Sequence, residues 1–217
     1  MQSKQTRTLQ WVEQRTEQYT LCIQQHIGQT SSIARPRHND SYLTSYPHLC
    51  AFWTDRPVTK ESLVQGTHMV YGWMPTTLNV DKNPDVSIEQ AAVIASRLRE
   101  RPTLPALQPF LHDLEVLKAV VNNSIVGTSK LLHFMRPDVY PIWDSIVHQS
   151  LQGVGSTNDT RNYIAYCRAI HKMLPSCGDI AMERINRVLS ENPTLEDNMI
   201  TPVRAMELIL FLKAKAR

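Results

Sequence analysis

The sequence contains no stretch in which apolar and polar residues alternate over the length of a strand, and that absence removes sheet-based folds from consideration. It also has no C-x-x-C pair. Cys22, Cys50, Cys167 and Cys177 stand at irregular spacings, which argues against a disulfide framework and fits a reduced intracellular protein. No apolar run approaches the ~20 residues that cross a bilayer, and MQSKQTRTLQWVEQRTEQ at the start lacks the apolar core of a secretory signal. A cytoplasmic location without a membrane partner is therefore expected. Cys167 and His171 fall four apart on one helical face, but no second pair has ligand spacing, so no metal site is expected. An RNA-cleaving helical toxin needs an arginine and a histidine at fixed short spacing, and no convincing instance occurs. Nor is there a large excess of one charge: the net charge of +3 permits nucleic acid as a partner without arguing for it, because an electrostatic footprint needs clustering.

What is present is helical periodicity. Leu9, Val12, Thr16, Tyr19, Ile23 and Ile27 recur at three- and four-residue steps and predict a helix over 4–27, ended by Gly28 and followed by a turn-rich linker to residue 40. The aromatic stretch 41–57, broken by prolines, reads as a short helix and a turn. A helix from Thr59 stops before Pro75, and Ser87 with Gln90 opens the next as a capping box. The stripe Leu107, Phe110, Leu111, Leu114, Leu117 and Val121 predicts a central, most buried helix over about 105–122. Residues 159–174 and 178–191 read as two helices on either side of Pro175, and Thr201 with Pro202 starts the last. The expectation is an all-α fold of eight to ten helices. At 217 residues it is a single domain, in which 1–40 is an N-terminal helix plus linker.

One stretch is denser in constraint than the rest: Gly127 to Val147, GTSKLLHFMRPDVYPIWDSIV. Gly127 is able to take a positive φ in a turn, Thr128 or Ser129 is placed to cap the helix that follows, and Leu131, Leu132, Phe134 and Met135 give that helix a buried face. Pro137 stops it, and Pro141 stiffens the link to a second helix with Asp144 in its first turn. Lys130 and Asp144 are thereby fixed relative to one another. A solvent-facing lysine and a capping aspartate meet the same pattern, so the spacing leaves a catalytic pair and a structural pair both open.

Residues 122–155 resemble the core of the helix-hairpin-helix DNA glycosylases, with a likeness to members related to the 8-oxoguanine glycosylases. On that resemblance Asn122 to Thr128 is the hairpin, Lys130 the lysine of members with lyase activity, and Asp144 the aspartate that follows a proline-containing link. The sequence departs from the family in having Ile125 in place of the hairpin's first glycine, and in setting Lys130 one residue further from Gly127. What the resemblance implies is a helix-hairpin-helix bundle that removes a modified or damaged base, without metal or organic cofactor. Lys130 is its nucleophile and Asp144 stabilises the cationic sugar. DNA is the implied partner, its phosphate held around Gly127, Thr128 and Ser129 with Arg136 alongside. Tyr71, Trp73, Tyr140 and Trp143 are the candidate walls of a pocket for the flipped base. The alternative is a catalytically silent helical accessory protein of a mobile element or defence system that binds nucleic acid or another protein.

Overall fold

The computed structural model describes residues 4–29, 33–34, 41–74, 86–190 and 200–215, and among these the chain is all-helical. Nine helices follow in order: α1 (Lys4–Gly28), α2 (Ser41–Thr54), α3 (Lys60–Trp73), α4 (Ile88–Glu100), α5 (Leu107–Val120), α6 (Ile125–Met135), α7 (Ser145–Ser150), α8 (Thr160–Leu189) and α9 (Pro202–Lys215). Most of the expected linker over 28–40, and the loop expected at 79–85, lie outside the described residues.

Local chemistry explains most of the boundaries. Thr59 caps α3 in a reciprocal box with Ser62, and Met74 in extended conformation ends it. Ser87 accepts from the Gln90 amide at the start of α4, and Thr201 accepts from the Arg204 amide at the start of α9. Two prolines are absorbed where the sequence predicts breaks. Pro47 lies inside α2, and Pro175 lies inside a single α8 of 30 residues where two helices are expected. Burial of Ile170, Met173, Cys177 and Ala181 on both sides of Pro175 keeps that helix on one packing face, and tertiary packing outweighs the missing amide.

The helices form two groups sharing one core. In the first, α8 packs on α1 and α9, with α7 against α9. The pairings of Trp11 with Arg161, Glu17 with Lys172 and Ile27 with Arg184 advance together, so α1 and α8 run in the same direction. In the second group α6 is the hub, touching α2, α3, α4 and α5. Here too expectation and structure differ. The stripe is buried except for the half-buried Leu111, but α6 and α9 are more enclosed: every residue from Val203 to Leu210 is buried, Arg204 and Glu207 included. An amphipathic stripe marks a helix with one solvent face, whereas α6 and α9 are covered on nearly all sides and show no clean stripe.

Candidate functional site at the junction of the two groups

The hairpin joining α5 to α6 is built differently from its sequence reading. Gly127 is not in the turn. The left-handed residues are Asn122 and Asn123, with φ of 56° and 51°, and Ser124 is the cap, its Oγ accepting from the Gly127 amide at 3.1 Å. Asparagine tolerates this conformation better than most residues, which is how the turn dispenses with glycine. Gly127 is needed inside the helix for another reason: a Cβ there would stand 2.9 Å from the Tyr71 hydroxyl oxygen and 3.0 Å from Val121 Cγ1. Neither Thr128 nor Ser129 caps. Both are fully buried, and their hydroxyls donate back to the carbonyls of Ser124 and Val126. The turn is also tied to Asn158, whose Oδ1 accepts from the Ile125 amide at 2.9 Å while its Nδ2 donates to the Asn123 carbonyl.

Lys130 projects from α6 onto the ring of Trp73, its Nζ 5.3 Å from the centroid. Among the described residues it has no hydrogen bond and no ion pair, so the aromatic face is its nearest compensation. Burial holds its amine below the usual lysine range, and the charges of Asp144 and Glu207 pull it partly back. Asp144 is the N-cap of α7, with Oδ1 accepting from the Val147 amide at 2.8 Å. The two residues of the sequence reading are thus brought into electrostatic reach of each other across the link from Pro137 to Pro141.

They are joined by two charges that the sequence reading missed. Arg204 and Glu207, three apart on α9, form an ion pair with side chains only 5% and 2% exposed. Burial raises the Glu207 carboxyl to about 7, against the pull of Arg204, and Asp144 adds to the rise. The guanidinium also lies on the ring of Tyr46 at 4.8 Å, and that tyrosine's hydroxyl meets His133 Nε2 at 2.8 Å. His133 Nδ1 faces the Tyr140 carbonyl at 2.7 Å, which fixes the proton on Nδ1 and makes Nε2 the acceptor of the Tyr46 hydroxyl. Its pKa is pushed down to about 3 by burial, so it is a neutral strut. The available signal for Arg204 and Glu207 was two charges inside an apolar helix, PVRAMELILFL, where an exposed face should have been richer in polar residues.

The other sequence candidates divide. Trp143 is fully buried, donates from its indole to the Thr157 carbonyl at 2.8 Å and packs on Tyr19 and Tyr166. Tyr140 is fully buried and donates to the Leu98 carbonyl; Tyr71 is buried and donates to the Val121 carbonyl. These three are core residues, so none of them walls an open pocket. Trp73 does. It lines a groove of about 420 Å³ between α2 and α3 with Tyr42, Ser45, Leu49, Met69 and Met74, and its indole donates to Ser45. Arg136 is likewise committed within the fold, paired with Asp138 and donating to the carbonyls of Arg99 and Arg101, which ties α6 to the end of α4. Of the possible metal pair, His171 Nε2 is bonded to the Val139 carbonyl at 2.7 Å and Cys167 is buried. Among the described residues no helix is long and apolar enough to cross a membrane.

The chain belongs to a family of unknown function, DUF6308, whose model matches residues 84–214. That span holds all four charges, Lys130, Asp144, Arg204 and Glu207, whereas Trp73 and Tyr46 come from helices that precede it. No curated protein and no solved structure matches the chain.

Proposed function

We propose that the chain is a DNA glycosylase-like protein in which Lys130 and Asp144 release a modified or damaged base. The observation that carries this reading is the state of Lys130: a half-buried lysine whose amine rests on an indole with no side-chain hydrogen bond or ion pair among the described residues, within electrostatic reach of a carboxylate. A lysine without a structural partner and with a lowered proton affinity is suited to nucleophilic attack on a sugar carbon. In the proposed reaction the neutral Nζ bonds to C1′, and the bond from C1′ to the base breaks with its electron pair leaving on the base, which takes a proton from solvent. A proton then moves from the nitrogen to the ring oxygen as the C1′–O4′ bond opens, leaving an iminium. Asp144, held by the Val147 amide, stabilises the positive charge that develops at C1′. Trp73, beside Lys130 and on the wall of the α2–α3 groove, is the aromatic placed to meet an extruded base.

A second reading, a silent helical protein that binds nucleic acid or another protein, is favoured by the hairpin, whose Ile125 and Gly127 amides are already taken by Asn158 and Ser124. Borohydride trapping separates the two. Incubation with duplexes carrying an abasic site or an oxidised purine should give a covalent adduct that Lys130→Gln abolishes. Salt-sensitive binding without an adduct supports the silent binding protein, and a panel of damaged duplexes giving neither binding nor adduct removes DNA as the substrate.

A further inference from the structure

We propose that the loop joining α7 to α8, residues 151–159, binds an oxyanion of the phosphate class, with the Gly155 and Thr157 amides as donors and Arg15 as the cation beside them. This goes beyond the glycosylase reading and does not depend on base release. The argument starts from where the loop sends its carbonyls. Those of Val154 and Ser156 both accept from Asn162 Nδ2 at 3.2 Å, and that of Thr157 accepts from the Trp143 indole at 2.8 Å. Asn162 and Trp143 are fully buried, so these three carbonyls point into the core. In a planar trans peptide the N–H that follows a carbonyl points the opposite way, and among the described residues no peptide bond is cis. The Gly155 and Thr157 N–H groups therefore face outward, and neither has an acceptor among the described residues. Gly155 lies at a φ of 82°, a left-handed kink of the kind that turns successive amides toward one anion.

Solvent would satisfy outward amides, but it does not satisfy the side chain beneath them. His148 is only 8% exposed, its Nδ1 lies 3.1 Å from Thr157 Oγ1, and its Nε2 has no hydrogen-bond partner, where buried polar groups are otherwise paired. That nitrogen is aimed at the loop: a Cβ on Gly153 would stand 2.1 Å from it, so the imidazole occupies the place of the missing side chain. Burial and then the charge of Arg15 disfavour the protonated ring; the Val154 carbonyl favours it but is already bonded to Asn162. An anion held by the loop offsets both costs. Arg15 is tied to the same corner by geometry. Its guanidinium lies 5.9 Å from the Tyr19 ring, and the Tyr19 hydroxyl bonds Asn162, the residue that holds the Val154 and Ser156 carbonyls. It also donates to Gln18, which reaches the Gln152 carbonyl at 3.4 Å. Arg15 makes no ion pair among the described residues, and its Nε has no partner. Arg161, over the same Trp11 ring, is paired with Asp159 and so cancels the single carboxylate of the loop. Two amides and a guanidinium call for a tetrahedral oxyanion with several acceptor oxygens, whether a phosphate of a nucleic-acid backbone or a free phosphate.

The test follows the backbone amides of the isotope-labelled full chain by NMR while inorganic phosphate replaces chloride at fixed ionic strength. Gly155 and Thr157 should move together along one saturating curve, while Ile125 and Gly127, whose amides are already bonded, stay in place. Arg15→Gln should raise the midpoint at least about ten-fold, and Arg15→Lys should restore much of the loss. Two amides that do not saturate together, or that saturate equally in Arg15→Gln, overturn the proposal. Repeating the titration with an undamaged duplex and with a nucleoside diphosphate at matched phosphate assigns the source, because the physiological one saturates the same two amides at the lower concentration. Saturation without a borohydride adduct keeps the anion site and discards the glycosylase; an adduct without saturation does the reverse.

Discussion

Ser129 and Trp143 are joined by a buried hydrogen bond, the serine hydroxyl accepting from the Trp143 amide at 3.1 Å while its own proton goes to the Val126 carbonyl. One residue beyond each stand Lys130 and Asp144, so this single side chain sets the spacing of the candidate pair. Ser129→Ala leaves a buried amide unsatisfied and should destabilise the fold by about 1–3 kcal/mol in urea denaturation. Unchanged stability would mean that the Pro137–Pro141 link alone holds the register.

Gly127→Ala should also destabilise, by about 1–3 kcal/mol, because the added methyl collides with the Tyr71 hydroxyl and Val121 and this outweighs the gain in helix propensity. Combining it with Tyr71→Phe, which removes the nearest atom, should recover part of the loss. A double-mutant cycle with no coupling would contradict the packing described.

Asp144→Asn separates capping from charge. Asparagine caps as well as aspartate, so thermal stability should change by no more than about 0.5 kcal/mol. Base release, if present, should slow by at least ~100-fold with DNA affinity largely retained, because transition-state charge stabilisation has been removed. An equal loss of binding would place Asp144 among ground-state contacts.

His133 supplies a pH dependence. Its folded pKa of about 3 lies below the ordinary 6.5, so the unfolded chain binds a proton that the folded chain refuses. Its contribution to stability is therefore full above pH 6.5 and declines as pH falls toward about 3. Urea midpoints measured down this range should fall, and His133→Gln should start lower at neutral pH and fall less.

Leu114 is fully buried on α5, and Leu114→Ala should cost about 2–5 kcal/mol as a core cavity. A change below about 0.5 kcal/mol would show that the site collapses without strain.

Much of the helical order was legible because periodicity and caps are local: Thr59, Ser87 and Thr201 all act where they were read. The failures share a physical cause. Pro47 and Pro175 signal breaks that packing overrides, and Gly127 signals a turn when its requirement is contact with Tyr71, fifty-six positions earlier. At the candidate site, Lys130 and Asp144 were found because a stiff local link connects them. Arg204 and Glu207 enter from a helix far along the chain, and no spacing rule relates them to Lys130. The aromatic candidates were misjudged for a similar reason: residue type does not separate a fully buried Trp143 from a groove-lining Trp73.

The two hydrogen bonds from Asn158 to the hairpin have a kinetic consequence. Oδ1 already occupies the Ile125 amide at the start of α6, the place an incoming phosphate oxygen would take. A polyanion engaging that turn must displace its own mimic, so association should split into a fast encounter that weakens with salt and a slower, nearly salt-independent opening of the 156–159 segment. Asn158→Ala would merge the two phases, making the side chain a latch on the hairpin as well as a brace for it.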